Sequence, residues 1–294
     1  MVSVVDGSVA PSPTRQSSPG RSNWRTRLLS RIRPTWRRFW VYVARIVLLV
    51  VVLWGWETFS GNPGEPHVLV NSYYVSKPSA IWNSLTGWIH QGVLWPNLLL
   101  TVEETVYGFL IGAAIGCVVG LILGVSRWLS DVLFPFVTAL NSTPRLALVP
   151  LFLLWFGLGS EARIVLVVTI TFFLVFYATY AGVRDVDEEL LDVLRTMGGS
   201  KLQIHAKVTL PSAMVWIISG LRVSVPYALV AAVTAEMIAS NQGMGYLLVN
   251  SSGQFDTAGV FAGIVVLIVV GLVLNVGVTL LEMVLLRWRP RQRA

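Results

Sequence analysis

Six stretches, each close to the roughly 20 apolar residues that a bilayer demands of a spanning helix, decide what this chain can fold into. They run over about 40–56, 98–124, 143–158, 164–183, 212–238 and 258–286. In hydrocarbon the backbone N–H and C=O groups must be satisfied within the segment itself, so such stretches become helices. Hydrophobic residues make up 54% of the 294 and charged residues only 13%, well away from the balance of a soluble domain. The sequence therefore reads as an all-α integral membrane protein with six transmembrane helices over 40–294. A tail at 1–39, rich in Arg, Ser and Pro and without apolar periodicity through Ser30, is expected to be disordered. Pro135, Pro144 and Pro150 interrupt the third stretch, where a kinked or partly re-entrant path is expected.

Orientation follows from the cations. Arg15, Arg21, Arg25, Arg27, Arg31, Arg33, Arg37 and Arg38 precede the first stretch, and Arg287, Arg289, Arg291 and Arg293 follow the last, so both termini are expected in the cytoplasm. Arg127 and the group Arg184, Arg195, Lys201 and Lys207 fall on the same side, whereas the opposite side carries only Lys77 and Arg163. The positive-inside rule accounts for the net charge of +7 without a nucleic-acid partner. No apolar core precedes about residue 40, too late for a cleaved signal peptide. Cys117 is the one cysteine, which leaves no internal disulfide and no Cys/His metal pattern.

Between the fourth and fifth stretches lies a polar segment, about 185–211. Leu190, Leu191, Leu194 and Met197 recur at helical spacing, while Asp187, Glu188, Asp192 and Arg195 keep the other face wet. Gly198 and Gly199 end that helix, since glycine reaches the left-handed conformation without a Cβ penalty. Ser200 and Gln203 have capping-box spacing and begin a second helix, which Leu210-Pro211 is expected to stop just as Pro211 opens the fifth span. The predicted product is a stiff amphipathic elbow on the cytoplasmic side.

Within the spans, Gly108, Gly112, Gly116, Gly120 and Gly124 recur at every fourth residue, a groove for close helix packing, with a contact between two copies as the second reading. Glu103 and Glu104 suit the positive end of the second helix, or alternatively a proton or cation site. Arg222 and Glu236 lie inside the fifth span. Either one lines a pathway, or Arg222 snorkels to the headgroups and Glu236 sits at the outer interface. Asn141, Thr143 and Asn275 are further candidates for a translocation pathway, and Arg145 joins Arg222 as a cation available to a pocket. Outside, 240–256 reads as a compact loop, and Ile81, Trp82, Leu85 and Trp88 as an interfacial helix. His67, His90 and His205 are too scattered to bind a metal. No phosphate loop, H-E-x-x-H helix or G-x-S-x-G elbow occurs, so the chain has no nucleotide-binding or catalytic motif of its own.

The polar segment resembles the EAA loop of type I ABC importer permeases: Glu-Ala-Ala, three residues, Gly, nine residues, Ile, one residue, Leu-Pro. Here Asp192-Val193-Leu194, Gly198, Val208 and Leu210-Pro211 keep every spacing, with Asp for Glu, Val-Leu for Ala-Ala and Val for Ile. From about Val75 onward the chain is similar to the nitrate/sulfonate/taurine branch of these permeases. The matching stretches include Lys77-Pro78-Ser79-Ala80-Ile81-Trp82, Pro144-Arg145-Leu146-Ala147-Leu148-Val149-Pro150, Leu154-Trp155-Phe156-Gly157-Leu158-Gly159, Ala235-Glu236-Met237 and Gly243-Met244-Gly245-Tyr246.

That resemblance implies the type I ABC importer permease fold in a multi-pass cell-membrane protein surrounded by lipid. It implies a second permease copy as a homodimer, two cytoplasmic ABC ATPase subunits and an extracytoplasmic solute-binding protein. It also implies no cofactor in this chain, ATP and Mg being bound by the partner subunits. Coupling to those subunits would fall on Asp192, Gly198, Gly199, Val208, Leu210 and Pro211. The implied solute is a small organic anion such as a sulfonate or taurine, or nitrate, although importers of vitamin precursors are similar too. The rival from a different class is an ion-coupled secondary transporter titrating Glu103, Glu104 or Glu236, for which internal repeats between half-sets of spans would be expected.

Overall fold

The computed structural model describes residues 24–61 and 70–286; His67 and the arginines at 15, 21, 287, 289, 291 and 293 lie outside them. The chain divides into two units, 1–55 and 56–294. Helix α1 (Trp24–Phe59) makes up the described part of the first and runs into the second. The stretch 24–39, expected to be disordered, is thus helical: Arg and Leu, frequent between 25 and 33, are among the better helix formers. From Phe39 to Phe59 the helix is apolar over 21 residues, enough to cross a bilayer.

In the second unit follow α2 (Pro78–His90), α3 (Leu94–Val125), α4 (Arg127–Asn141), a 3₁₀ turn (Arg145–Leu148), α5 (Val149–Phe156), α6 (Ser160–Arg184), α7 (Glu188–Thr196) and α8 (Lys201–Ile204). A π turn (His205–Thr209), α9 (Leu210–Ala239), α10 (Met244–Gly253) and α11 (Thr257–Leu285) complete it. A two-residue parallel bridge pairs Ser60 with Val70 and Gly61 with Asn71.

The five periodic glycines are all buried along α3, and α6 fills the groove they leave. A Cβ at Gly112 would sit 2.7 Å from the Val168 carbonyl, one at Gly116 2.7 Å from that of Phe172, and one at Gly120 2.7 Å from the Thr179 Cβ. Gly108 meets Val167 and Gly124 meets Val183 in the same way. Because the partners advance in one sense, α3 and α6 run parallel. The glycines lie against this chain's own helix, so the subunit-contact reading of that face is not what the structure has. Gly182 abuts Trp216 and Gly220 abuts Ala178, partners that run in opposite senses, so α9 is antiparallel to α6.

Parallel α3 and α6 require the intervening chain to cross back, and α4 with α5 does so, bent by 81° at the break between Asn141 and Arg145. The third span is therefore a broken pair over 127–156 and not one stretch over 143–158. Pro144 makes the break: it lacks an N–H, holds an extended conformation (φ −69°, ψ 98°) and disfavours helix in the residue before it. Pro135 is accommodated inside α4, and Pro150 stands in the first turn of α5, where its missing N–H has no partner to lose.

Three clusters hold the core of the described residues, the smallest being Val183, Ala213 and Ile217 between the end of α6 and the start of α9. Ala228, Ala231, Ala232 and Ala235 give α9 a small-residue face against Leu166 and Val167 of α6 and Phe152 of α5. Leu229 and Val233, on another face of α9, meet Leu94, Met244, Leu247 and Val266. The segment 240–256, expected as a loop, contains α10. Met244, Leu247 and Ser251 recur at helical spacing and are buried, so burial of one face makes the segment a helix.

Candidate functional site

Three places in the fold carry polar chemistry, and the elbow is the first. Asp187 caps α7, its carboxylate accepting from the Glu189 N–H at 2.9 Å, and Glu188 and Glu189 in the first turn suit the positive helix end. At the other end Gly199 N–H donates to Leu194 O and Gly198 N–H to Arg195 O, both at 3.0 Å, with Gly198 at φ +78°. That is a Schellman turn, and it needs a residue without a Cβ at Gly198. Ser200 and Gln203 then close a reciprocal capping box: Ser200 N–H donates to Gln203 Oε1 at 2.9 Å, and Gln203 N–H to Ser200 Oγ at 3.3 Å.

The second helix does not stop at Leu210-Pro211 as expected. From Lys201 the chain stays helical through the π turn into α9, and Leu210 N–H donates to His205 O. Pro211 has no N–H for the ladder, and the wider turn ahead of it takes up the register change. Val208, Leu210 and Pro211 thus lie in one continuous helical run. The apolar stripe of α7 splits in two: Leu191 and Leu194 are half-buried, while Leu190, Val193 and Met197 (78% exposed) face outward. Asp192 lies beside them, accepting from Arg195 at 2.8 Å. Arg127, at the start of α4, reaches Glu188 at 3.1 Å, but both side chains are 79% exposed, so this bridge holds the elbow only weakly.

The second place is a lock at the opposite end of α9. Glu236 is fully buried. Its Oε1 accepts from Thr101 Oγ at 2.6 Å and its Oε2 from Gly245 N–H at 2.7 Å. Thr101 Oγ in turn accepts from Met244 N–H at 2.9 Å, and Asn97 Oδ1 accepts from Gly243 N–H at 2.6 Å. One carboxylate therefore ties α9, α3 and the start of α10 together. Next to it, Glu104 is fully buried and Arg163 nearly so, paired at 2.6 Å; Glu103 is exposed. Sequence reasoning missed Thr101 and the Glu104–Arg163 pair. The pair had a signal, because second and fourth spans of a six-span chain run the same way and set both residues at one end.

The third place is a cavity of about 480 Å³ lined by Asn141, Thr143, Arg145, Ile170, Tyr227 and Val230, among others. The break after α4 brings Asn141, Thr143 and Arg145 there. Ile170 and Tyr227 come from near the middle of α6 and α9. Of the five pathway candidates, Asn141 and Thr143 line this cavity, and Glu236, Arg222 and Asn275 do not. Arg222 is paired with Glu282 of α11, and Asn275 is exposed on the same helix. Arg145 donates to Asn141 and lies 4.5 Å over the Phe173 ring, with its buried Nε–H unpartnered. Among the described residues no group of three or more His, Cys, Asp and Glu could hold a metal ion.

Residues 112–285 match the family described as binding-protein-dependent transport system inner membrane component. A Bacillus subtilis protein named as the aliphatic sulfonates transport permease SsuC is 32% identical over 86% of this chain and 90% of its own length. The riboflavin transport system permease protein RibX of Chloroflexus aurantiacus is 31% identical over 90% and 96%. Among solved structures, an inward-facing MetNI methionine ABC transporter superposes with a TM-score of 0.54 over 67% of this chain and 96% of that one; at 18% identity it shares the fold.

Proposed function

This chain belongs to the family of binding-protein-dependent transport inner membrane components, and on that premise we propose that it carries a small organic anion inward, driven by ATP hydrolysed on separate cytoplasmic subunits. It is an ABC importer permease subunit with the type I permease fold. One observation carries the ATP-driven reading: a short helix, α7, exposes Leu190, Val193 and Met197 and is joined through a capped turn to a helix unbroken from Lys201 to Ala239.

The proposed stroke starts when two ATPase subunits close on ATP and Mg. Their surface clefts take the outer face of α7, with Asp192 beside it. Gly198 and Gly199 close the turn, and Val208, Leu210 and Pro211 lie on the path into α9. A floppy connection would dissipate such a displacement, whereas a capped turn and a continuous helix carry it as a rigid body. The moving helix bears Tyr227 and Val230 on the cavity wall, so displacement at the elbow reshapes the cavity. Tyr227, Val230, Leu154 and Trp155 are exposed on the single chain, a face suited to a second copy. Both termini and the elbow are assigned to the cytoplasm, and α2 and α10 to the outer side, where a solute-binding protein would deliver its ligand.

Sulfonate, taurine or nitrate is the cargo the sequence resemblance favours. A vitamin precursor is the second reading, prompted by the riboflavin system's permease among the relatives. An ion-coupled carrier fits less well, because Glu104 and Glu236 are already engaged by Arg163, Thr101 and Gly245. The test is to co-express the chain with its neighbouring ATPase, purify the complex in mild detergent and reconstitute it with the binding protein. Uptake should require ATP and the ATPase. Uptake by the chain alone on a proton or sodium gradient would refute the proposal.

A further inference from the structure

Arg145 is the one described arginine that lines the cavity between the spans. Arg163 is neutralised by Glu104, Arg222 by Glu282, Arg127 by Glu188 and Arg195 by Asp192. Among the described residues no carboxylate pairs with Arg145; Arg45 and Arg184 also lack one, lying over Tyr42 and Tyr180, but neither lines the cavity. The contacts of Arg145 are neutral: the side chain and carbonyl of Asn141 and the face of Phe173. The cavity it lines contains no acidic residue, so its walls carry a single formal charge, and that charge is positive.

A cation at the depth of Ile170 and Tyr227, near the middle of two spanning helices, is costly unless it serves a water-filled path or a counter-ion. Here the guanidinium is oriented without being discharged. Asn141 holds one edge and Phe173 supports the plane, while Nε–H points its hydrogen at no acceptor. Guanidinium presents a planar fork that matches the paired oxygens of a carboxylate or sulfonate. Thr143 and Tyr227 add hydroxyls on the same wall, and Leu146, Ile170 and Val230 offer apolar surface to a short organic tail.

We infer that Arg145 selects the charge of the cargo, binding the carboxylate or sulfonate group of the solute in this cavity during its passage. The inference rests on the importer reading and deepens it. Asn141 is a positioning residue, setting the angle of the guanidinium without discharging it.

Charge and structure are separated by two variants in the reconstituted complex with its ATPase and binding protein. Arg145→Gln removes the cation. Asn141→Asp keeps the arginine and its contact but supplies an internal carboxylate that occupies it. The readout is radiolabelled ethanesulfonate taken up per ATP hydrolysed, with riboflavin as the uncharged comparison and size-exclusion profiles to confirm assembly. Loss of one charge-assisted bond predicts a fall of roughly tenfold to hundredfold in both variants, and Arg145→Lys should recover part of it. Were Arg145 merely structural, Asn141→Asp would transport normally, and that result overturns the inference. Wild-type uptake of riboflavin, or of neither probe, also overturns it while leaving an ATP-driven importer standing. Arginine-dependent uptake of ethanesulfonate without ATP would instead remove the importer reading and spare the site.

Discussion

Glu104 and Arg163 show how far one buried charge pair constrains this bundle. The pair is almost wholly enclosed between the parallel helices α3 and α6, with the Arg163 Nε–H also donating to Glu104 at 2.7 Å and a second nitrogen to Ser160 Oγ at 3.1 Å. Removing one member leaves the other charged in a low-dielectric setting, which costs about 3–5 kcal/mol, whereas replacing both by apolar residues of similar size is often neutral. Glu104→Leu and Arg163→Met should each lower the detergent-solubilised melting temperature sharply, and the two together should recover most of the loss. A double variant as unstable as the sum of the singles would show that the two side chains act independently. Sequence alone placed Glu104 at a helix end without its partner, because nothing local to either residue signals the other. Thr101 was hidden for the same reason: a threonine in an apolar run ordinarily bonds the preceding turn, and only the fold brings Glu236 and Met244 to it.

At the scale of elements, local chemistry was the legible part. The capping box at Ser200 and Gln203, the glycine turn after α7 and the four-residue glycine period of α3 are each set by neighbours in sequence, and each stands in the structure as written there. The bend between α4 and α5, the helix α10 and the unbroken run through Pro211 were not legible, since burial against other helices decides them. Two substitutions probe the legible elements. Gly198→Val forces a β-branched residue into φ +78°, where a left-handed conformation costs about 1–2 kcal/mol for ordinary residues and more for a branched one. The space around Gly198 is open, so the chain should still insert and assemble, with ATP hydrolysis retained and uptake per ATP lost. Coupled uptake at the wild-type ratio would count against the turn as a transmitter. Gly112→Ala acts elsewhere: its Cβ would meet the Val168 carbonyl at 2.7 Å and the Thr171 Cβ at 2.9 Å, so α3 and α6 must separate. Its melting temperature should fall, while Gly87→Ala in α2, with no atom nearby to clash, should hold it or raise it slightly, Ala being the better helix former.

For the whole molecule, the relative directions of α3, α6, α9 and α11 follow from a few side-chain pairings. Gly124 against Val183 puts the ends of α3 and α6 at one level, and Trp216 against Gly182 puts the start of α9 there too. Arg222 paired with Glu282 brings the end of α11 to the same side, while Glu236, α10 and the start of α11 gather at the other. The elbow and the lock therefore occupy opposite ends of α9, and the cavity lies between them. This arrangement depends on the bent pair α4–α5 crossing the bilayer; were it re-entrant, the elbow would emerge on the far side. Cys117 is the only cysteine, so a Cys117→Ala background accepts single reporters. Arg127→Cys and Met197→Cys should react with a membrane-impermeant maleimide only in inverted vesicles, and Gln91→Cys and Gln254→Cys only in right-side-out ones. Met197→Cys labelling from the same side as Gln91→Cys would remove the crossing of α4–α5. Reversal of all four would keep the fold and turn the molecule over, which the arginine-rich N-terminal tail opposes.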